Sequence, residues 1–138
     1  MSTLRTNALE GMDAKNSITI VAGEGNVTTM NVQQGLCKAW VNFDGVTTTV
    51  ADDSFNFGTI TDVSTGRTTH TFTNNMANSD FAISYFTNAN TGDGLGAFSN
   101  TFVGNVCNRT TSTFQTEAYS SSNIDSKLND NTVHGDLA

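Results

Sequence analysis

Proline is absent from the 138 residues, cysteine occurs twice, and lysine and arginine together number six. Each scarcity excludes something. Average usage would supply about 5% proline, and central β-strands are where proline is least tolerated because it donates nothing to the ladder. Six basic residues against thirteen acidic ones, for a net charge of −7, leave no basic patch to neutralise phosphates, so no nucleic-acid partner is expected. No apolar run exceeds three residues, which predicts neither membrane insertion nor a secretory leader. Charged residues make up 14%, well below the roughly 25% of an average chain, which argues against coiled coils and helical bundles. Nine phenylalanines argue against a charged, disordered tail.

Threonine, asparagine and serine fill the gap, with 52 of the 138 residues. Threonine is β-branched and suits a pleated, half-wet surface. Asparagine, aspartate and glycine supply the turns between short strands. Phenylalanine and valine can line an inner face. The sum predicts an all-β protein, an antiparallel β-sandwich (jelly-roll-like or a small barrel), preceded by an extended β arm. Its surface is polar through hydroxyls and amides more than through charge, as on secreted, cell-surface and viral-particle proteins.

The chain divides by composition. Residues 1–36 contain no aromatic and have scattered apolar positions, among them Leu4, Leu9, Ile18 and Ile20. Ser17–Ala22 and Asn26–Asn31 read as two strands about the turn Gly23-Glu24-Gly25, with Ile18 and Ile20 on one face. So thin a segment cannot bury two faces by itself. It is expected to anchor the chain on neighbours, with Leu4, Leu9, Ile18 and Ile20 at the interface. Asn31–Lys38 lacks β alternation and reads as a helical turn or linker.

Residues 37–138 carry the β pattern. Ala39–Phe43 ends at the turn pair Asp44-Gly45; Ser54–Gly58 alternates, with a bend expected at Gly58; Arg67–Thr73 sets His70 and Phe72 against Thr69, Thr71 and Thr73. Phe81, Ile83 and Tyr85 share a face, as do Phe114, Thr116 and Ala118. Asn88–Gly96 and Ser120–Asn131 read as polar loops, the second with a short helix near Asp125, and Thr132–Asp136 as a closing strand. The predicted core is Trp40, Phe43, Phe55, Phe57, Phe72, Phe81, Ile83, Tyr85, Phe102 and Phe114, with Trp40, the only tryptophan, as anchor.

Catalytic chemistry finds little footing. His70 and His134 have no partner at metal-ligand spacing. Asp52-Asp53 and Asn90–Asp93 could offer oxygens to calcium, but neither fits an EF-hand loop. No nucleophile elbow, P-loop or dinucleotide fingerprint occurs. The expectation is no enzyme, no cofactor and no metal. Cys37 and Cys107 read as reduced thiols filling small spaces.

Several strings resemble structural proteins of marine bacteriophages. They are the leader Ser2–Leu9, then Gln34–Gly45 with its Lys38-Ala39-Trp40-Val41-Asn42-Phe43 core, Asp53–Asp62, Thr71–Asn74 and Val133–Asp136. The resemblance covers most of the chain apart from Ala89–Gly96 and Ser120–Asn131, and is to virion surface or tail-fibre-like proteins of phages infecting marine cyanobacteria and other marine bacteria. In that family the position of Cys37 is commonly alanine, which keeps the size small and weakens any disulfide. The resemblance brings no catalytic residue. It implies a non-enzymatic virion component made in the host cytoplasm and displayed on the particle surface as a capsid decoration or short fibre. Homotrimers and contacts with other capsid or tail proteins would follow. The alternative is a tail-fibre receptor-binding module that recognises host surface glycans through an exposed aromatic or the loop Asn88–Gly96.

Overall fold

The computed structural model describes residues 18–21, 29–47, 49–88, 103–119 and 122–138. The chain forms two compact units, Met1–Leu36 and Cys37–Ala138. In the first, β1 (Thr19–Val21) pairs antiparallel with β2 (Thr29–Asn31), with Ile20 opposite Met30. The Val32 N–H donates to the Ile18 carbonyl at 2.9 Å, and one helical turn, α1 (Val32–Gly35), follows. Both strands lie within the two read from alternation. Leu4, Leu9 and the turn Gly23-Glu24-Gly25 lie outside the described residues.

The second unit is an all-β antiparallel sandwich. Its first sheet has the strand order β4-β3-β10-β7, where β3 is Ala39–Asp44, β4 Val50–Phe55, β7 Ala82–Asn88 and β10 Leu128–His134. The second has the order β5-β6-β9-β8, where β5 is Phe57–Ser64, β6 Arg67–Phe72, β8 Val103–Cys107 and β9 Thr113–Tyr119. The period of two decides what meets between them. From the first sheet come Ala39, Val41, Phe43 and Val133; from the second come Phe72, Phe114 and Ala118, all buried. Phe43 reaches across to the ring of His70, centroids 5.2 Å apart, and Phe81 packs edge-on against Phe72 at 5.5 Å. Met76, from the segment between β6 and β7, is also in this core, although nothing in its polar neighbourhood of sequence suggests it.

From β4 to β5 the chain crosses between the sheets at a single residue. Asn56 lies between β4 and β5 with φ 60°, a left-handed conformation that asparagine tolerates better than most residues. Its side chain locks the corner: Nδ2 donates to the carbonyls of Lys38 (3.0 Å) and Asn74 (3.2 Å), and Oδ1 accepts from the Asn74 N–H (2.7 Å) and Nδ2 (3.0 Å). The corner between the sheets is therefore at Asn56, while Gly58 lies where the β5–β6 register shifts between Phe57 and Thr59. This corrects the reading of Ser54–Gly58 as one strand: Phe57 turns inward, while Phe55 remains on the outer side of β4 and is 52% exposed.

Two further expectations are corrected. Trp40 is not a core anchor. Ala39, Val41 and Phe43 take the inner positions of β3, so alternation leaves Trp40 half-buried on the opposite side. The closing strand begins at Leu128 rather than Thr132 and occupies the middle of its sheet, between β3 and β7. No helix forms near Asp125. Phe102 and residues 89–96 lie outside the described residues.

Candidate functional site

Three places in the sandwich hold chemistry: a polar strip inside it, a groove at its edge, and the outer face of the first sheet. The polar strip lies on inner positions of β6, β7, β9 and β10. Tyr85 and Thr87 both donate hydroxyl hydrogens to Asn129 Oδ1 at 2.9 Å, and Asn129 Nδ2 donates to the carbonyls of Ser126 (2.7 Å) and Phe43 (3.3 Å). Burial pushes the Tyr85 phenol up from its ordinary value. His70 is fully buried, stacked on Phe114 at 4.7 Å, with Nε2 hydrogen-bonded to Thr116 Oγ1 at 2.9 Å. Burial disfavours its charged form and pushes its pKa down to about 3, so the ring is neutral at physiological pH. His70 Nδ1 and the side-chain amide of buried Asn131 have no protein partner. The adjoining cavity, walled by Gly45, Tyr85, Asp125 and Asn129 among others, measures about 10 Å³, room for one water. This strip orders the core and has no space for a substrate.

The groove, about 270 Å³, opens between edge strands β4 and β5 and is walled by Val50, Ala51, Ser54, Phe57, Thr59 and Ile60, among others. None of its wall residues is titratable.

The outer face of the first sheet is different. Its register sets Phe55, Trp40, Thr132 and Ser84 in one row across all four strands. The next row is Asp53, Asn42, Asp130 and Phe86. Asn42 Nδ2 donates to Asp130 Oδ1 at 2.6 Å, tying the two middle strands together on this side. Phe86 is 46% exposed, so an aromatic ring stands on each edge strand of the sheet, with Trp40 beside the first. Cross-strand pairs such as Phe55 and Trp40 lie about 5 Å apart at their Cβ atoms, close enough for one ligand to touch both. At the end of β3, Asp44 caps the following turn, accepting from the N–H groups of Val46 (2.7 Å) and Thr47 (3.3 Å). Its burial works against the charged form, but these donors outweigh it and hold the carboxyl below the usual range.

The outward position of Phe86 is legible in the sequence. If Ile83 and Tyr85 face inward, then Ala82, Ser84 and Phe86 must face outward. Phe55 was not legible, because its orientation depends on the corner at Asn56. Of the residues expected at an assembly interface, Ile18 is half-buried and Ile20 lies mid-strand in β1. Cys37 and Cys107 are free; Cys37 Sγ donates to the Ala39 carbonyl at 3.0 Å. Among the described residues no three His, Cys, Asp or Glu side chains cluster as metal ligands would. No family model, no curated protein and no solved structure matches the chain.

Proposed function

We propose that the chain is a non-enzymatic structural component of a bacteriophage particle, a β domain displayed on the virion surface as a capsid decoration or short fibre-like protein. The observation that carries this reading is the division into a slight N-terminal unit and a substantial sandwich. Its described residues form two three-residue strands and one helical turn, and a hairpin of that size has too little apolar surface to be more than marginal alone in water. Docking on further copies of the chain, in a homotrimer, or on other virion proteins would supply the missing surface. The resemblance of Gln34–Gly45 and Asp53–Asp62 to phage structural proteins supports the same reading. Peptide mass spectrometry and antibody labelling of purified phage particles test it. The chain is expected in intact virions, at many copies for a decoration and few for a tail element; its absence from them would overturn the reading. Sedimentation of the full chain is expected to give the mass of a trimer.

A second reading, a receptor-binding module for host surface glycans, is favoured by a separate observation. Trp40 and Phe55 are cross-strand neighbours on the outer side of the sandwich, where they add nothing to its core.

A further inference from the structure

The geometry points to the outer face of the β4-β3-β10-β7 sheet as a binding platform for a neutral, hydroxyl-rich oligosaccharide, laid across the strands along the row Phe55–Trp40–Thr132–Ser84. This inference sharpens the glycan-recognition reading and rests on it, and is independent of any place in a virion.

The face combines flat apolar area with hydrogen-bond acceptors. A pyranose ring presents a C–H face that can lie on an aromatic ring and a rim of hydroxyls that must be hydrogen-bonded. Phe55 and Trp40 supply the first need on one side of the sheet, and Phe86 supplies it on the other. Three inter-strand steps separate the two edge strands, about 14 Å, a span suited to a short oligosaccharide rather than a single sugar.

The polar groups select the class of ligand. One of the two Asn42 Nδ2 hydrogens is committed to Asp130, and Asp53 Oδ1 already accepts from the Ser54 N–H. The lone pairs left on the Asp53 and Asp130 carboxylates and on the Asn42 carbonyl oxygen make this row rich in acceptors, beside the Thr132 and Ser84 hydroxyls, which donate or accept. A sugar hydroxyl can donate to them. A carboxylate, sulfate or phosphate brings only acceptors and negative charge, and meets no outward lysine or arginine on the described part of these four strands. Uronic-acid polymers and nucleic acids are thereby disfavoured. Self-association through this face is disfavoured by the same groups. A two-fold pairing brings each patch against its own copy, so Asp53 and Asp130 of both copies would be desolvated together without cations. A neutral polyol satisfies the acceptors and covers the rings at no such cost.

The test uses the full chain and titrates it with cello-, laminari-, manno- and galacto-oligosaccharides, with oligogalacturonate as the anionic arm. Trp40 is the only tryptophan, so its fluorescence reports on this face directly. At least one neutral oligosaccharide is expected to shift or quench the emission, and oligogalacturonate to leave it unchanged. By calorimetry, Phe55→Ala and Trp40→Ala should each weaken binding by about tenfold, the scale of one lost stacking contact. Glu117→Gln, on the opposite sheet, should leave it unaltered. Thermal unfolding of each variant confirms that the sandwich persists; if Trp40→Ala does not fold, Phe55→Ala and Phe86→Ala carry the test. Four outcomes overturn the inference. Neutral sugars that bind equally well to all the variants place the site elsewhere and leave glycan recognition standing. Silence to every sugar removes both. Preferential binding of oligogalacturonate contradicts the ligand class. A drop in oligomeric mass on Phe55→Ala, without any sugar binding by the parent chain, makes the face a contact between copies.

Discussion

The outer sides of the two sheets face water from the same sandwich, yet they are built differently. On the β5-β6-β9-β8 side, Thr61, Thr69 and Gln115 form one row, and Thr59, Thr71 and Thr113 another. Polar groups there satisfy one another: Gln115 Nε2 donates to Thr69 Oγ1 at 2.9 Å, Asn108 Nδ2 to Gln115 Oε1 at 2.6 Å, and Arg67 Nη2 pairs with Glu117 Oε1 at 2.6 Å. On the β4-β3-β10-β7 side three aromatic rings share the face with carboxylates, and the Asn42–Asp130 bond is the tie between neighbouring strands. A surface meant only to meet solvent can close its hydrogen bonds on itself. A surface that keeps rings and acceptors outward leaves them open to contact from outside. The difference teaches that the placement of exposed rings sets the two faces apart: three spread across the first sheet, while among the described residues of the second the exposed ring, Tyr119, stands at the end of β9.

The comparison can be broken by substitution. The largest effect should come from between the sheets, where both sides depend on the same residues. Phe114→Ala removes a fully buried ring that touches Phe57, Phe72, Phe81 and His70, and should lower unfolding free energy by about 3–5 kcal/mol in denaturant titration. The next effect depends on pH. An unfolded His70 binds a proton below pH 6.5, whereas the folded one resists until about 3, so acid favours the unfolded chain. This contribution is whole above pH 6.5 and is lost progressively as pH falls toward 3. It should amount to about 2 kcal/mol of stability lost between pH 8 and pH 5. His70→Leu should flatten that part of the stability–pH profile; an unchanged slope would show that other groups set it.

Trp40→Ala should cost much less than Phe114→Ala, on the order of 1 kcal/mol, because Trp40 is half-buried on the outer side and leaves no internal cavity. A loss as large as that of Phe114→Ala would restore Trp40 to the core and dissolve the contrast between the two faces. The smallest effect belongs to the opposite side. Glu117→Gln removes a solvent-screened ion pair with Arg67, and the thermal midpoint should hardly move. In the parent chain that pair holds the Glu117 carboxyl below its ordinary value, chiefly through the Arg67 hydrogen bond.

Much of this arrangement was legible in the sequence. Alternation grouped His70 with Phe72 against Thr69 and Thr71, and Thr116 and Ala118 with Phe114; with Phe72 and Phe114 in the core, the others follow inward, because these strands stay in one sheet and keep their phase. Phase is lost wherever the chain leaves its sheet, and a left-handed asparagine does not stand out among seventeen asparagines. Phe55 and Phe57 therefore looked equivalent and are not. Hydrophobicity misled in the opposite direction at β10. Leu128–Asn131 reads as the end of a polar loop, yet Asn129 and Asn131 are buried, Asn129 because four hydrogen bonds make its amide tolerable inside. Trp40 was misplaced by size: the largest ring suggested the deepest position, but Ala39, Val41 and Phe43 had already filled the inner face of its strand.

The central place of β10 also bears on how the sandwich comes into being. On a translating ribosome β3 and β7 emerge long before the strand that joins them. Until Leu128–His134 clears the exit tunnel, both nascent strands present open edges on their unjoined sides. The first sheet must then be completed by insertion between strands already made, a slow, long-range closure. Where many nascent copies appear together, that interval is when holding by a chaperone would matter most.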